Sequence, residues 1–225
     1  MASNTLNIQT LGHDIGAEIL GLDLREPVSD ELITEIENTL YQHAVIVIRE
    51  QTLDTVQLSA FGQRFGPLQP SGRRKVQNKD ADNRVQPETP NINFISNVKK
   101  NGKNMGSSDA GVYWHSDLCY EEIPSKATML HALEIPEKDG VVYGSTRFTN
   151  VAAAFDALPE DMKNRLNGLK AVNSFRYMWN KKAHEFGRRP TLSQEELNKL
   201  SPDVIHPVVR THPATKRKCL YVCEG

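Results

Sequence analysis

Leu32, Ile33, Ile36 and Leu40 recur with the spacing of one helix face behind Ser29-Asp30, a pair whose side chains can cap a helix start. This helix runs directly into the apolar segment 44–48, which reads as a buried strand. A second helix fits residues 54–65, with Leu58, Phe61 and Phe65 on one face and Gly66-Pro67 as its stop signal. Strand-like segments follow at 126–133, 144–149, 171–175, 206–210 and 219–222, separated by Pro, Gly and Asp turns. A helical interlude spans 151–166 around Pro159, and residues 176–203 read as a polar insertion with a capped helix at Ser193-Gln-Glu-Glu-Leu. Short strands joined by turns, with helices outside them, predict a mostly β sandwich or barrel with flanking helices.

Between 69 and 111 the pattern dissolves into polar residues, prolines and glycines, interrupted only by the apolar Ile92-Asn-Phe-Ile, so one long loop with one short strand is expected. Eight basic residues between Arg73 and Lys103 face three acidic ones, which fits a solvated loop or a lid that attracts anions. The whole chain, 1–225, is then one domain, with loop 69–111 and insertion 176–203 as candidate lids.

Composition narrows the classes. A content of 38% hydrophobic and 24% charged residues is enough to build a core, and a formal charge of -1 gives no global footprint for nucleic acid or an anionic membrane. No apolar run approaches membrane-spanning length, and the first residues lack the basic-then-apolar order of a signal peptide, so a cytoplasmic protein is expected. Three cysteines, 119, 219 and 223, contain no Cys-x-x-Cys pair and predict neither a disulfide framework nor a thiolate zinc site.

The chemistry resides in His115-Ser-Asp117, set between Val112-Tyr-Trp and Leu118-Cys-Tyr. If this stretch is extended, residues i and i+2 share a face and offer an imidazole and a carboxylate to one metal ion, two ligands of the 2-His-1-carboxylate set used by non-haem Fe(II) oxygenases. Seven His and twelve Asp in 225 residues produce one His-x-Asp by chance in about a third of such chains, so the tripeptide needs support from elsewhere.

That support comes from motifs spread along the chain. Trp114-His-Ser-Asp, Pro124-Ser-Lys-Ala-Thr-Met-Leu-His-Ala-Leu, Tyr143-Gly-Ser-Thr with Arg147-Phe-Thr-Asn, His206-Pro-Val-Val-Arg-Thr-His-Pro and Lys218-Cys-Leu-Tyr-Val occur in order. Leu11-Gly-His-Asp-Ile-Gly-Ala-Glu-Ile and Ala60-Phe-Gly-Gln-Arg-Phe-Gly-Pro precede them. Together they resemble the taurine and 2,4-dichlorophenoxyacetate dioxygenase family of Fe(II)- and 2-oxoglutarate-dependent oxygenases.

The resemblance implies a double-stranded β-helix, or jelly roll, and Fe(II), 2-oxoglutarate and dioxygen as cofactor and cosubstrates. It implies hydroxylation of a small substrate, an anion among the candidates, with release of succinate and CO2; a non-catalytic jelly-roll binding protein is the alternative. His115 and Asp117 would be the iron ligands and the catalytic centre, Thr146 would hold the distal carboxylate of 2-oxoglutarate, and Asn97 would lie beside cosubstrate and substrate. Partners are expected to be a small molecule, neither nucleic acid nor membrane, with a homo-oligomer compatible.

Two departures stand out. Tyr143-Gly-Ser replaces the family's Gly-Gly-Asp before the threonine, and the family's distal histidine and 2-oxoglutarate-binding arginine lie beyond the Leu-Tyr-Val block, whereas the sequence stops at Gly225. The C-terminal part of the domain is therefore expected to be missing, and the 225-residue chain alone inert. His206 and His212, each before a proline, are read as structure and not as replacement ligands, His131 as a core or cleft residue, and His13, His43 and His184 as surface or packing residues.

Overall fold

A computed structural model describes residues 5–12, 14–69, 89–107, 110–186, 191–200 and 202–223. His13 and residues 70–88, which hold much of the basic loop, lie outside the described residues. The chain divides into two compact units that interleave along the sequence: residues 1–67, 129–164 and 210–220 in one, 68–128, 165–209 and 221–225 in the other.

In the first unit, β1 (Asn7–Thr10) pairs antiparallel with β2 (Ala17–Leu20), and β2 pairs parallel with β3 (Ile46–Val47). Helix α1 (Asp30–His43) separates β2 from β3. Ser29 caps its start by accepting from the Leu32 N–H, and Ala44 ends it in the left-handed region at φ 63°, where its N–H returns to the Leu40 carbonyl. The apolar stripe read from the sequence does the packing: Ile33 and Ile36 of α1 are buried, as are Ala17 and Ile19 of β2. Helix α2 (Thr55–Gln63) opens with a reciprocal capping box between Asp54 and Gln57.

The two-residue strands β4 (Lys99–Lys100) and β5 (Lys103–Asn104) form a hairpin in the second unit, and β6 (Glu137–Lys138) and β7 (Val141–Val142) form another in the first. The helical interlude splits at Pro159 into α3 (Val151–Asp156) and α4 (Glu160–Leu166). Asn150 caps α3 through Oδ1, which accepts from the N–H groups of Ala152 and Ala153, while its Nδ2 donates to the Asp14 carbonyl at 2.8 Å. Beyond α4, β8 (Lys170–Asn173) leads into α5 (Phe175–Phe186) and α6 (Gln194–Asn198), whose capping box on Ser193 and Glu196 matches the sequence reading. Strand β9 (Val204–Pro207) pairs antiparallel with β8, and β10 (Val209–Thr211) pairs with β11 (Lys218–Leu220).

Three expectations are corrected. Segments 126–133 and 144–149 carry no strand, and their apolar residues stand in solvent, Leu133 at 72% exposure. The short strand expected at 92–95 is absent, and the hairpin lies a few residues later. The insertion 176–203 is not simply polar: Phe175, Trp179, Leu192 and Leu200 form a buried cluster flanked by Tyr120, Met178 and Leu197, so the segment has its own small core. Among the described residues the sheets contain two or three strands each, and no helix is long and apolar enough to cross a membrane.

Candidate metal centre

His115 and Asp117 belong to the second unit and do not sit on a strand. Residues 114–116 are irregular, and 117–120 form a turn with Leu118 in the left-handed region at φ 52°. The reason given for their pairing, alternation along a strand, is therefore wrong, yet the pairing itself exists: His115 Nε2 lies 3.2 Å from Asp117 Oδ1. Both side chains are partly open to solvent, at 38% and 46% exposure.

The hydrogen bonds around the pair fix what each atom can do. His115 Nδ1 is 2.7 Å from the Tyr113 carbonyl oxygen, which can only accept, so Nδ1 carries a proton and Nε2 is turned toward Asp117. Thr128 Oγ1 donates to Asp117 Oδ2 at 2.7 Å, which leaves Oδ1 for the histidine side. The hydrogen bond to Asp117 raises the His115 pKa against the opposing effect of burial, and the same bond, helped by Thr128, holds Asp117 below the usual carboxylate value.

A metal ion fits this donor set. Two ligand atoms at right angles, each about 2.1 Å from an ion, are about 3.0 Å apart, close to the spacing of Nε2 and Oδ1. The Nδ1 bond to a backbone carbonyl and the Thr128 bond to the second carboxylate oxygen are the supporting contacts that orient metal-binding imidazoles and carboxylates. Among the described residues, no group of three or more His, Cys, Asp and Glu is arranged to hold an ion.

Other histidines are occupied elsewhere, as the sequence reading held for His206 and His212. The His206 ring is buried in β9, with Nε2 3.0 Å from the Glu121 carbonyl and the ring edge-on to Tyr221. His212 Nδ1 accepts from the N–H groups of Ala214 and Thr215 and so shapes the turn between β10 and β11. His131 Nε2 lies 3.1 Å from the Gln51 carbonyl.

Two further candidate residues lie apart from the pair in the chain. Asn97 is exposed in the irregular stretch before β4. Thr146 is exposed in the first unit, in an irregular stretch in which Gly144 adopts φ 76°, so the glycine kept from the family motif still supplies a backbone that other residues resist. Several neighbours of the pair carried no local sequence signal. Thr128 reaches Asp117 from eleven residues away, and Lys181 Nζ on α5 lies 4.3 Å from the centre of the Tyr113 ring, with Lys182 at 5.9 Å. The Ser116 N–H donates to Cys223 Sγ at 3.3 Å, and the Ser116 carbonyl accepts from the Cys119 N–H at 3.4 Å.

Comparison with known proteins identifies the family. Residues 7–225 match the family model described as taurine catabolism dioxygenase TauD, TfdA family. The chain is 32% identical to an alpha-ketoglutarate-dependent 2,4-dichlorophenoxyacetate dioxygenase of Cupriavidus pinatubonensis, across 92% of this chain and 69% of that protein. It is 29% identical to the (S)-phenoxypropionate/alpha-ketoglutarate-dioxygenase of Sphingobium herbicidovorans, across 98% of this chain and 71% of that one. In structure it resembles AAD-2 in complex with Mn(II) and N-oxalylglycine, with a TM-score of 0.70 and 26% identity, covering 96% of this chain and 72% of that chain. The chain thus spans about two thirds of the length of the relatives it matches. On the strength of a family match that starts at residue 7 and takes in both members of the His115–Asp117 pair, the chain belongs to the TauD/TfdA family, a family of dioxygenases that depend on a metal ion and 2-oxoglutarate.

Proposed function

We propose that the protein containing this chain is an Fe(II)/2-oxoglutarate-dependent dioxygenase that hydroxylates a small anionic substrate and releases succinate and CO2, on a jelly-roll scaffold. The observation that carries this reading is the His115–Asp117 pair, with Nε2 and Oδ1 3.2 Å apart and each ligand braced from behind. Iron(II), when bound with 2-oxoglutarate and dioxygen, supplies the oxidising chemistry. The chain's own residues hold and orient. Tyr113 fixes the imidazole tautomer, Thr128 keeps one carboxylate oxygen occupied so that the other faces the ion, and Thr146 offers a hydroxyl to the far carboxylate of 2-oxoglutarate. Asn97 supplies a polar side chain beside cosubstrate and substrate.

An anionic substrate is supported by the cations near Tyr113. Lys181 and Lys182 both reach its ring, and Lys182 acts electrostatically on His115, so positive charge is concentrated on the side of the pair from which a carboxylate or sulfonate would be drawn. The test is oxygen consumption and succinate formation by the whole protein with Fe(II), 2-oxoglutarate and a panel of aryloxy acids, sulfonates and neutral analogues. Turnover coupled to hydroxylation of an acid and not of its neutral amide is expected. Tight metal binding with no succinate for any panel member would point to the non-catalytic binding protein instead.

A further inference from the structure

Helix α5 meets the ligand loop on each side of the His115–Asp117 pair, within the second unit. After the pair, the Tyr120 ring stands edge-on to Phe175 at 4.8 Å, and Phe175 lies 5.9 Å from Trp179 in the buried cluster. Before the pair, Lys181 Nζ lies over the Tyr113 ring, 4.3 Å from its centre. Phe175 and Lys181 are six residues apart on one helix, a rise of about 9 Å, so a single rod carries both contacts. Between them the backbone has little order of its own: residues 114–116 are irregular. His115 is nevertheless oriented through that backbone, because its Nδ1 lies 2.7 Å from the Tyr113 carbonyl oxygen. A carbonyl fixes an imidazole only as firmly as its own peptide is fixed, and the ring of Tyr113 is the part of that residue on which α5 bears.

We propose that Lys181 is a positioning residue for the metal histidine: its ammonium group, seated on the Tyr113 ring, holds the peptide whose carbonyl orients His115. The proposal rests on the reading of His115 and Asp117 as metal ligands. An ammonium within about 6 Å of a ring centre is attracted by the electron-rich face, more strongly where water is partly excluded, and Lys181 is half-buried. Lys182, at 5.9 Å, stands at the edge of that range, so Lys181 carries the contact. With the Tyr113 carbonyl held in place, the proton stays on His115 Nδ1 and the Nε2 lone pair is presented toward Asp117 and the ion between them. The direction of the effect separates positioning from simple charge. A nearby cation repels a divalent ion through space, so removing the Lys181 charge would tighten metal binding if electrostatics alone linked them. Loss of a support weakens it.

The experiment uses the whole protein. Mn(II) is titrated by calorimetry without cosubstrate or substrate, and imidazole N–H exchange with water is followed by NMR in the metal-free protein. Lys181→Met keeps the apolar stem and removes the charge; it is expected to bind Mn(II) roughly three- to tenfold more weakly. Its His115 Nδ1–H signal, assigned by its absence in His115→Ala, is expected to exchange faster than in the wild type. Lys181→Arg keeps a cation on the ring and is expected to restore both properties. Tyr113→Leu is expected to weaken Mn(II) binding as well, and adding Lys181→Met to it to cause no further loss. Mn(II) affinity in Lys181→Met equal to or above the wild type, no recovery in Lys181→Arg, or an additive loss in the double variant would each overturn the proposal. Unchanged Nδ1–H exchange in Lys181→Met, with a wild type that binds Mn(II), would strike the proposal alone; a wild type that binds no Mn(II) would strike the metal centre and the proposal with it.

Discussion

Thr128 Oγ1 donates to Asp117 Oδ2 at 2.7 Å while Asp117 Oδ1 faces His115 Nε2, so one carboxylate is divided between a supporting bond and an open donor position. Each oxygen has a separate role, and each is separately testable. Asp117→Ala removes the ligand and should abolish measurable Fe(II) binding in calorimetric titration, with the circular dichroism spectrum unchanged. Thr128→Val removes only the brace and should weaken iron binding roughly ten- to a hundred-fold. Wild-type affinity in Asp117→Ala would end the assignment of the centre.

The hydroxyl of Thr146 is expected to bind the far carboxylate of 2-oxoglutarate. Loss of one hydrogen bond to a charged group costs about 1.5 to 3 kcal/mol, so Thr146→Val should raise the apparent Kd for 2-oxoglutarate by roughly ten- to a hundred-fold. Iron affinity should stay as it was. An unchanged cosubstrate affinity, measured by displacement of N-oxalylglycine, would remove Thr146 from the site.

Asn150 answers to a structural need. Its side chain caps α3 and anchors the Asp14 carbonyl, so Asn150→Ala should lower the unfolding free energy by about 1 to 2 kcal/mol. Chemical denaturation should show that loss in a protein that binds iron normally; reduced iron binding with full stability would give Asn150 a different role.

The turn between β10 and β11 should be acid-sensitive. His212 Nδ1 accepts two backbone N–H groups, and burial, with Lys216 nearby, holds its pKa below the ordinary 6.5. A base whose pKa is depressed by folding contributes stability that is present above pH 6.5 and lost as the pH falls through the folded value. Tm measured from pH 7.5 down to 5 should therefore fall more steeply for the wild type than for His212→Asn. Parallel profiles would show that His212 is not the group responsible.

Helices were the most legible part of this sequence because their determinants are local. Ser29, Asp54, Asn150 and Ser193 each cap the element that follows, and the Ile33 and Ile36 stripe is the buried one. Strand β3 lies within the apolar segment 44–48, and β8, β9, β10 and β11 overlap the strand-like segments 171–175, 206–210 and 219–222 without matching their bounds. The segments 126–133 and 144–149 look equally strand-like, yet a strand exists only through a partner, and no described segment pairs with them. His-x-Asp correctly joined His115 to Asp117 through the wrong backbone, since an irregular segment and turn bring the side chains together as well as a pleat would. Thr128, Lys181 and the Ser116–Cys223 contact depend on chain crossings that no local pattern encodes.

Tyr120 follows Asp117 by three residues, and its ring meets Phe175 edge-on at 4.8 Å, on the cluster completed by Trp179, Leu192 and Leu200. The loop that carries His115 and Asp117, without regular backbone pairing, thus takes its stiffness from an aromatic clasp on the insertion, not from a sheet. Remodelling that insertion to admit a new substrate is therefore a mechanical intervention as well as a steric one. Sequence diversification in α5 should spare Phe175 and Trp179 and draw its variation from the outward positions, where a changed side chain leaves the contact with Tyr120 in place.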